Sequence, residues 1–357
     1  MTEIPGTIEV GGRRWAIRRA WPASRGRTAV EAEHEGRLRS GFLEDGRVTV
    51  LPAGEDPRLP GLAHCLSGPG NRLISHRPGK RAVVRLSDGT FAKCVRTGAA
   101  RAVVDGTLSA APFAAGFRMP EVIRVDDSTV VLSPLAGVGL HDPSPFSDEE
   151  WTRAWAEVLD AWARVGSDRA TGTQQETGED VGSMDPTRPR HLTPVHSAKD
   201  EIRVLREWRD RAQSFLEPLL DGPRFESLER GIAAVEAELS TSAGLWGPLH
   251  RDLHDKQLMW DSEHGPGLLD VDTACVGERE LDLGNLRAHA WWRHRQGIWS
   301  QPHADAVVHA IATATSATGA DVARVGVYER AALLRLVCVY VFRPRWRALI
   351  GDLIDAC

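Results

Sequence analysis

The sequence predicts an α+β chain with a β-rich first part and a mainly helical second part. In the first part, short runs of partly alternating apolar residues are separated by Gly, Pro and Asp, which is typical of strands joined by turns. Beyond residue 146 the apolar period changes from two to about 3.6 residues, which is typical of helices. We expect three segments: a β-rich extension over 1–66, a second β-rich segment over 67–138 and a helical segment over 139–357.

The second β-rich segment contains three runs joined by short turns: NRLISHR, RAVVRL and TFAKCVR. The connecting triplets PGK and SDG are turn-forming, so we expect three consecutive antiparallel strands. The Ala-rich stretch 98–116 follows and is predicted to be a helix, although Gly106 and Pro112 weaken that prediction. Two further strands are expected in EVIRVDDSTVVLSPL.

The first helix of the third segment is predicted over 147–165. Ser147 and Glu150 form a capping box at its start, and its tryptophans fall on one apolar face. The later helices are expected at these positions: from Ser197 onward, 224–240, 281–296, 302–317, 326–341 and 345–356. The stretch 166–196 between the first two helices is poor in apolar residues and is predicted to be a disordered loop or a mobile lid.

Composition and charge exclude several classes of protein. The net charge of −5 gives no general attraction to nucleic acid or to an anionic membrane, so we expect neither partner. Five cysteines without a C-x-x-C pair do not suggest a disulfide framework or a structural zinc site. The start of the chain lacks the pattern of a signal peptide, and the longest apolar stretches are too short to cross a membrane. We therefore expect a cytoplasmic protein.

Lysine is rare in this chain. Of 44 basic residues only four are lysine: Lys80, Lys93, Lys199 and Lys256. Arginine cannot replace a compact ammonium group where one is required. A retained lysine is therefore a somewhat better functional candidate here than in an average sequence.

Residues 245–286 carry the candidate chemistry. A short apolar run is followed by a polar turn with Asp252, then by a second apolar run that ends at Asp270. Two strands flanking a loop would bring both carboxylates to one edge. A magnesium–nucleotide site needs this arrangement, because one acid orients the acceptor hydroxyl while another holds the metal.

The motifs in this stretch resemble those of a known family. HRDLHDKQLMW resembles the catalytic loop of the kinase superfamily, and His254 is typical of aminoglycoside phosphotransferases and choline-kinase-like enzymes. LLDVD followed by ELDLGNL resembles their metal-binding segment, and GTFAKCVR resembles the strand with the ATP-contacting lysine. The resemblance implies a bilobal protein-kinase-like fold, with a β-rich N-terminal lobe over 67–138 and a mainly helical C-terminal lobe over 139–357 that carries the catalytic loop.

The resemblance also implies a role for each matching residue. Asp252 is the expected catalytic base and Asp270 the expected magnesium ligand. Lys93 is expected to pair with the α- and β-phosphates of ATP or GTP. His250 is expected to be structural, bonding backbone between the two loops. Lys256, in the catalytic loop, is either a stabiliser of the transferring phosphoryl group or a solvated side chain.

Three positions depart from the family pattern. The metal-binding asparagine is replaced by Gln257, whose carbonyl is still a hard oxygen ligand. The helix that should supply a glutamate to Lys93 offers only Asp105, which is either its partner or an exposed helix residue. The turn at 75–81 contains one glycine, Gly79, so its N–H groups and Lys80 either touch a phosphate or form an ordinary hairpin turn.

The length of the segment after Asp270 indicates the type of acceptor. Only eleven residues lie between Asp270 and Asp282, which begins a predicted helix. A protein kinase requires a longer activation segment there to dock a peptide. We therefore expect a small molecule with a hydroxyl group, such as an antibiotic, a sugar or an amino alcohol, as the acceptor.

Two alternatives remain at this point. HRDLHD contains four possible zinc or iron ligands, as in HD-type metal-dependent hydrolases. The substitution at Gln257 and the missing glutamate also fit a catalytically weak pseudokinase. For the loop 166–196, acids at Glu176, Glu179, Asp180 and Asp185 would attract a polycationic acceptor, or belong to a solvated insertion.

Overall fold

Two antiparallel sheets of five strands occupy the first 132 residues. The computed structural model describes residues 3–24, 26–167 and 194–357. The first sheet is a simple meander in the order β1-β2-β3-β4-β5. Its strands are β1 Thr7–Val10, β2 Arg13–Pro22, β3 Thr28–His34, β4 Arg37–Glu44 and β5 Arg47–Val50.

The second sheet has the order β6-β7-β8-β10-β9 and confirms the predicted run of three antiparallel strands. Its strands are β6 Arg72–Arg77, β7 Arg81–Arg85, β8 Phe91–Val95, β9 Val122–Val125 and β10 Thr129–Leu132. A short helix α1 (Gly61–Leu66) precedes it, and α2 (Ala100–Ser109) follows β8. The helix predicted over 98–116 ends at Ser109 and continues as a 3-10 turn, since Pro112 cannot extend an α-helix.

The rest of the described chain is mainly helical. The helices are α3 Asp148–Ser167, α4 Ala198–Leu216, α5 Gly222–Leu239, α6 Glu280–Arg295, α7 Gln301–Thr318, α8 Val322–Tyr340 and α9 Ile350–Asp355. The capping box of Ser147 and Glu150 is formed, and the predicted tryptophan face of α3 is buried. The terminal helix predicted at 345–356 is only partly α-helical, because Pro344–Leu349 forms a 3-10 turn. Within the described ranges, no helix is long and apolar enough to cross a membrane.

The described chain also contains two three-stranded sheets, and their strands flank the loops of the candidate site. One has the order β11-β14-β15 and the other β12-β16-β13. Their strands are β11 Val138–Gly139, β12 Val195–His196, β13 Trp246–Leu249, β14 Leu258–Asp261, β15 Gly265–Leu268 and β16 Cys275–Glu278. The candidate catalytic loop therefore lies between β13 and β14, and the segment with Asp270 lies between β15 and β16.

The first sheet packs on the helical part of the chain. Trp15, Ile17 and Leu43 belong to the same buried apolar cluster as Leu205 of α4 and Leu334 of α8. Backbone hydrogen bonds reinforce this contact, since the N–H of Ala20 donates to the carbonyl of Phe342 at 2.9 Å. The N-terminal extension is thus attached to helices that precede and follow the candidate site in the sequence.

Candidate functional site

Helix α6 supports the candidate catalytic loop through hydrogen bonds. The carboxylate of Asp282, in the first turn of α6, accepts the backbone N–H groups of His250 and Arg251, both at 2.9 Å. Complete burial raises the pKa of Asp282. The backbone of Arg251 has a φ of 75°, a left-handed conformation that these two hydrogen bonds help to hold. The loop is therefore fixed in shape before any substrate binds.

His250 connects the catalytic loop to the segment that carries Asp270. Its Nε2 lies 3.0 Å from the carbonyl oxygen of Leu269, and the hydroxyl of Thr273 donates to the carbonyl of His250 at 3.1 Å. The expected structural role of His250 is confirmed by these contacts. Because Asp252 and Asp270 each lie within two residues of the connection, the two candidate carboxylates are on adjacent segments.

Lys93 lies between two carboxylates. Its ammonium donates to Asp270 at 2.8 Å and to Asp272 at 2.7 Å, although the residues are far apart in sequence. Lys93 is only 7% exposed, because it sits in the central strand β8. Burial alone would raise the pKa of Asp270, but the charges of Lys93 and Arg81 hold that pKa well below its ordinary value. Asp270 is therefore ionised and available as a ligand.

Asp272 is a site residue that the sequence analysis missed. It follows Asp270 by two positions, and the 3-10 turn Val271–Thr273 brings both side chains to Lys93. One of its carboxylate oxygens, Oδ1, is buried and has no hydrogen-bond partner among the described residues. The second acid in LLDVD was the available signal. A buried carboxylate oxygen without a donor is costly, which indicates that a ligand belongs there.

The donor set around Asp270 suits magnesium. Mg²⁺ prefers oxygen ligands and usually takes one or two carboxylates together with phosphate oxygens and water. Asp270 and Asp272 supply two carboxylates, one with an unpartnered oxygen. No group of three or more His, Cys, Asp or Glu side chains that could hold a metal occurs in the described part of the chain. The residues therefore fit a metal that is completed by nucleotide phosphates.

The position of Gln257 leaves its predicted role as a ligand open to test. Its backbone carbonyl accepts the N–H of Leu269 at 2.8 Å, so the residue lies beside the Asp270 segment. Among the described residues its side-chain amide has no hydrogen-bond partner, and it is half-buried. A metal ligand and a packing residue both agree with this placement.

Asp252 differs from the other acids of the site because it is exposed. Its carboxylate makes no hydrogen bond or ion pair with any residue in 3–24, 26–167 or 194–357. A general base must be free to accept a proton from a bound substrate. The position of Asp252 meets that requirement.

The predicted pairing of Lys93 with Asp105 is wrong in this structure. Asp105 pairs with Arg101, one turn earlier on α2, at 2.9 Å. The residue of α2 that reaches the site is Gly106, where an added Cβ would lie 2.2 Å from the carbonyl oxygen of Asp272. Arg101 and Asp105 are four residues apart, so they are neighbours on one face of α2. The carboxylates of Asp270 and Asp272 occupy the place expected for a helix acid.

The hairpin between β6 and β7 is an ordinary turn whose amides are already used. The N–H of Gly79 donates to Asp56 at 2.6 Å, and the N–H of Lys80 donates to the carbonyl of Arg77 at 3.0 Å. Burial alone would raise the pKa of Asp56, but hydrogen bonds from His76 and Gly79 lower it. The expectation that these amides touch a phosphate is therefore not met, and contact would have to come from the Lys80 side chain.

Asp255 connects the candidate catalytic loop to Arg293 of helix α6. It is fully buried and accepts two hydrogen bonds from the guanidinium of Arg293, both at 3.0 Å, and one from His141. The ring of His254 stacks on His289 with centroids 4.7 Å apart. The N–H of Lys256 donates to Nδ1 of His254, and burial lowers the pKa of His254, so this ring is neutral.

A family model matches this arrangement of residues. The Phosphotransferase enzyme family (APH) model matches residues 71–325, which is more than half of the chain. The chain belongs to this family. No protein among the curated sequences matches it significantly. The family match covers Lys93, Asp252 and Asp270, and it leaves the first sheet and the residues after 325 outside.

Solved structures of aminoglycoside phosphotransferases share the fold of this APH-family chain. APH(4)-Ia is 13% identical and covers 82% of this chain and 94% of its own, with a TM-score of 0.53. A thermostable mutant of that enzyme, in a ternary complex with ADP and hygromycin B, is 12% identical and covers 84% and 97%, also with a TM-score of 0.53. APH(3'')-Id from Streptomyces rimosus is 17% identical and covers 78% and 96%, with a TM-score of 0.49. The two matches with a TM-score of 0.53 confirm the bilobal protein-kinase-like fold.

Proposed function

We propose that this protein transfers the γ-phosphoryl group of a magnesium-bound nucleotide to a hydroxyl group of a small molecule. The observation that carries the proposal is that three parts of the candidate site are connected to one another. Lys93 lies between Asp270 and Asp272, and His250 joins that segment to the catalytic loop. Asp252 is exposed in the loop and has no partner among the residues that the structure describes. Structural relatives solved with ADP or with GDP support a nucleotide as donor, and ATP and GTP are both candidates.

Asp252 is the base in this proposal. The acceptor oxygen attacks the γ-phosphorus, and the bond from that phosphorus to the bridging oxygen of the β-phosphate breaks. The nucleoside diphosphate leaves with the electron pair of the broken bond. The proton of the acceptor hydroxyl passes to a carboxylate oxygen of Asp252.

Lys93 and its two acids position the nucleotide. An ammonium group has three N–H donors, and Lys93 uses two of them on Asp270 and Asp272. The third donor is available for an α- or β-phosphate oxygen. Asp270 and Asp272 would hold Mg²⁺, which neutralises charge on the phosphates when it is bound. Gln257 is proposed as a further oxygen ligand, and Lys80 as a cation near the phosphates.

The geometry favours a phosphotransferase over the hydrolase alternative. The four candidate ligands in HRDLHD do not converge, since His250 bonds Leu269 and Asp255 bonds Arg293. The pseudokinase alternative differs only in its chemistry. Binding of magnesium–ATP without transfer to any hydroxyl compound would favour it.

The test is incubation of the protein with Mg²⁺, ATP or GTP and a panel of hydroxylated small molecules, scored by product mass. We expect one class of acceptor to gain a phosphoryl group. Asp270→Ala should abolish magnesium-dependent nucleotide binding, measured by calorimetry, because it removes the main metal ligand. The matched control is Asp305→Ala, which removes one carboxylate from helix α7 far from the site and should bind nucleotide normally. Equal nucleotide binding by both variants would exclude the proposed metal site.

A further inference from the structure

Three arginines surround one tryptophan of strand β2. The guanidinium carbons of Arg19, Arg77 and Arg343 lie 5.3, 5.5 and 5.4 Å from the ring centroid of Trp21. Trp21 is 9% exposed, so its faces are largely occupied by these contacts. Such cation–π contacts stabilise each arginine individually, but they do not compensate its charge. We call Arg19, Arg77, Arg343 and the nearby Lys256 the cation cluster.

The cluster is short of carboxylates. Glu31 neutralises Arg19 through two hydrogen bonds at 2.9 and 3.0 Å. Within the described part of the chain, the side chain of Arg343 donates to the carbonyls of Ala20 and Phe342 and to no other acceptor. Among the described residues, no carboxylate or other hydrogen-bond acceptor is bonded to the side chains of Arg77 or Lys256. Arg77, Arg343 and Lys256 therefore lack a directly bonded carboxylate. The charge of Glu31 acts on Arg343 and that of Asp255 on Lys256, whereas only other arginines act on Arg77.

This surplus has an electrostatic cost in the protein alone. Desolvation, followed by the charge of Arg81, lowers the pKa of Arg77 to about 10. Desolvation, followed by the charge of Arg19, lowers the pKa of Arg343 to about 10 as well. The cations therefore repel one another in a partly dehydrated site, and an entering anion would relieve that repulsion.

The cluster lies next to the reacting groups. Lys256 follows Asp252 by four residues. Burial, followed by the charges of Arg293, Arg19 and Arg343, lowers the pKa of Lys256 to about 8 against the opposing charge of Asp255. On the other side, Arg77 is close to Arg81, whose guanidinium lies 3.8 Å from Asp270. A molecule bound to the cluster could thus present a hydroxyl group to Asp252.

Two of the four members of the cluster, Arg19 and Arg343, lie outside the family match. Arg19 and Trp21 belong to β2 of the first sheet, and Arg343 follows helix α8, whereas the match covers residues 71–325. Nucleotide binding is the property expected of the matched part, through Lys93 and Asp270. Cations added by the unmatched segments are better explained by the second substrate.

We propose that the acceptor carries an anionic group, a phosphate or a carboxylate, that binds in the cation cluster while its hydroxyl faces Asp252. This inference rests on the proposed phosphotransferase function and names its substrate class. Guanidinium groups bind both oxyanions through paired, charge-assisted hydrogen bonds. Polycationic acceptors are disfavoured, because the same charges repel them.

The first test measures binding of inorganic phosphate and of acetate to the full chain, with the nucleotide site saturated by Mg–ADP. We expect the wild-type protein to bind at least one of the two anions. Arg77→Gln should weaken this binding about tenfold, because it removes one charge-assisted hydrogen bond. Arg77→Lys should keep most of the affinity. The matched control is Arg72→Gln, which removes a charge from the other end of strand β6 and should bind as wild type. If Arg77→Gln does not fold, Lys256→Gln replaces it in this measurement.

The second test compares acceptors in pairs that differ by one anionic group: glycerol with glycerate, and a free hexose with its monophosphate. For the wild-type protein we expect kcat/KM to be at least tenfold higher for the anionic member of one pair. In Arg77→Gln this preference should be lost because KM for the anionic acceptor rises, while the affinity for Mg–ATP stays unchanged. The phosphate and carboxylate pairs distinguish the two sources of charge.

Three results would overturn the inference. In the first, the anions bind when Mg–ADP is absent and do not bind when Mg–ADP is saturating, which would assign the cluster to the nucleotide. In the second, Arg77→Gln and Arg72→Gln bind the anions equally. In the third, a neutral or polycationic acceptor is preferred, which would leave the phosphotransferase function intact. Failure of that function itself would appear separately, as absence of Mg–ATP binding by the wild-type protein.

Discussion

Asp252 and Asp255 lie three residues apart in one loop and have opposite environments. Asp252 is exposed and has no partner among the described residues, whereas Asp255 is fully buried and bonded to Arg293 and His141. Burial alone would raise the pKa of Asp255, but the charge of Arg293 and the hydrogen bond from His141 hold it well below its ordinary value. One face of the loop is thus available for chemistry, and the other fixes the loop to helix α6.

The comparison shows how to separate functional from structural acids within a motif. A carboxylate that is buried and paired contributes to stability and is not free to accept a proton from a substrate. A carboxylate left exposed beside a rigid support gains little stability from its position, and its placement is better explained by binding or catalysis. The two roles predict different outcomes for the same kind of substitution.

The largest expected effect is that of Asp252→Asn on turnover. The change is isosteric and removes the proposed base, so kcat should fall by at least ~10²-fold. Because Asp252 has no described partner, the free energy of unfolding should change by less than about 0.5 kcal/mol. Steady-state kinetics with the identified acceptor and urea denaturation provide the two readings. Turnover within a few-fold of wild type would exclude Asp252 as the base.

On the buried face we expect the opposite result. Arg293→Gln leaves Asp255 buried without its main counter-charge, which should cost about 3 kcal/mol of unfolding free energy. The matched control is Arg295→Gln on the same helix, which breaks the exposed pair with Asp352 and should cost less than about 1 kcal/mol. Urea denaturation measures both. Equal, small losses in the two variants would contradict the supporting role of Asp255.

The same pair predicts a dependence of stability on pH. The pKa of Asp255 is lower in the folded protein than the unfolded value of about 3.9. Its ionised form therefore stabilises the fold above that value, and this contribution is lost as the pH falls through the folded pKa. The difference in unfolding free energy between wild type and Arg293→Gln should be constant from about pH 7 to about pH 5 and narrow below about pH 4. A difference that stays constant down to about pH 3 would oppose this assignment.

The smallest effect is expected for Asp105→Ala on helix α2. It removes only an exposed pair with Arg101, so stability should change by less than about 1 kcal/mol and Mg–nucleotide affinity should stay at the wild-type value. Asp272→Asn is the contrasting variant. It replaces a charged carboxylate that is bonded to Lys93 with a neutral amide, so it should reduce the affinity for Mg–nucleotide. Isothermal titration with Mg–ADP compares them. A larger loss in Asp105→Ala than in Asp272→Asn would restore the pairing expected from the sequence.

Much of the fold was predictable because it depends on local patterns. The period of 3.6 residues placed α3, with its capping box and buried tryptophans, and the turns PGK and SDG placed β6, β7 and β8. Catalytic-loop chemistry was also recognisable, since it occupies one short stretch around Asp252. The four acids of the predicted loop 166–196, Glu176, Glu179, Asp180 and Asp185, lie within residues 168–193, outside the described part of the chain. The lid hypothesis therefore stays a prediction.

The partners of the site residues were not predictable in the same way. Lys93 and Asp270 are 177 positions apart, and Gly79 meets Asp56 across 23 positions. Apolar periodicity does not show which carboxylate will lie next to a given lysine. Asp105 was therefore expected as the partner of Lys93, because it belongs to the helix that follows Lys93 in the sequence. Asp272 was closer to recognition, because it belongs to the same LLDVD motif.

By itself, the sequence determined the order of strands and helices, the residue types of the site and their spacing along the chain. Backbone hydrogen bonding and apolar periodicity are local, so these features are written in consecutive residues. The tertiary structure alone decided that Asp252 is exposed while Asp255 is buried, and that Arg19, Arg77 and Arg343 meet around Trp21. Burial and charge pairing set the ionisation and the availability of a side chain, and both arise only when distant segments pack together.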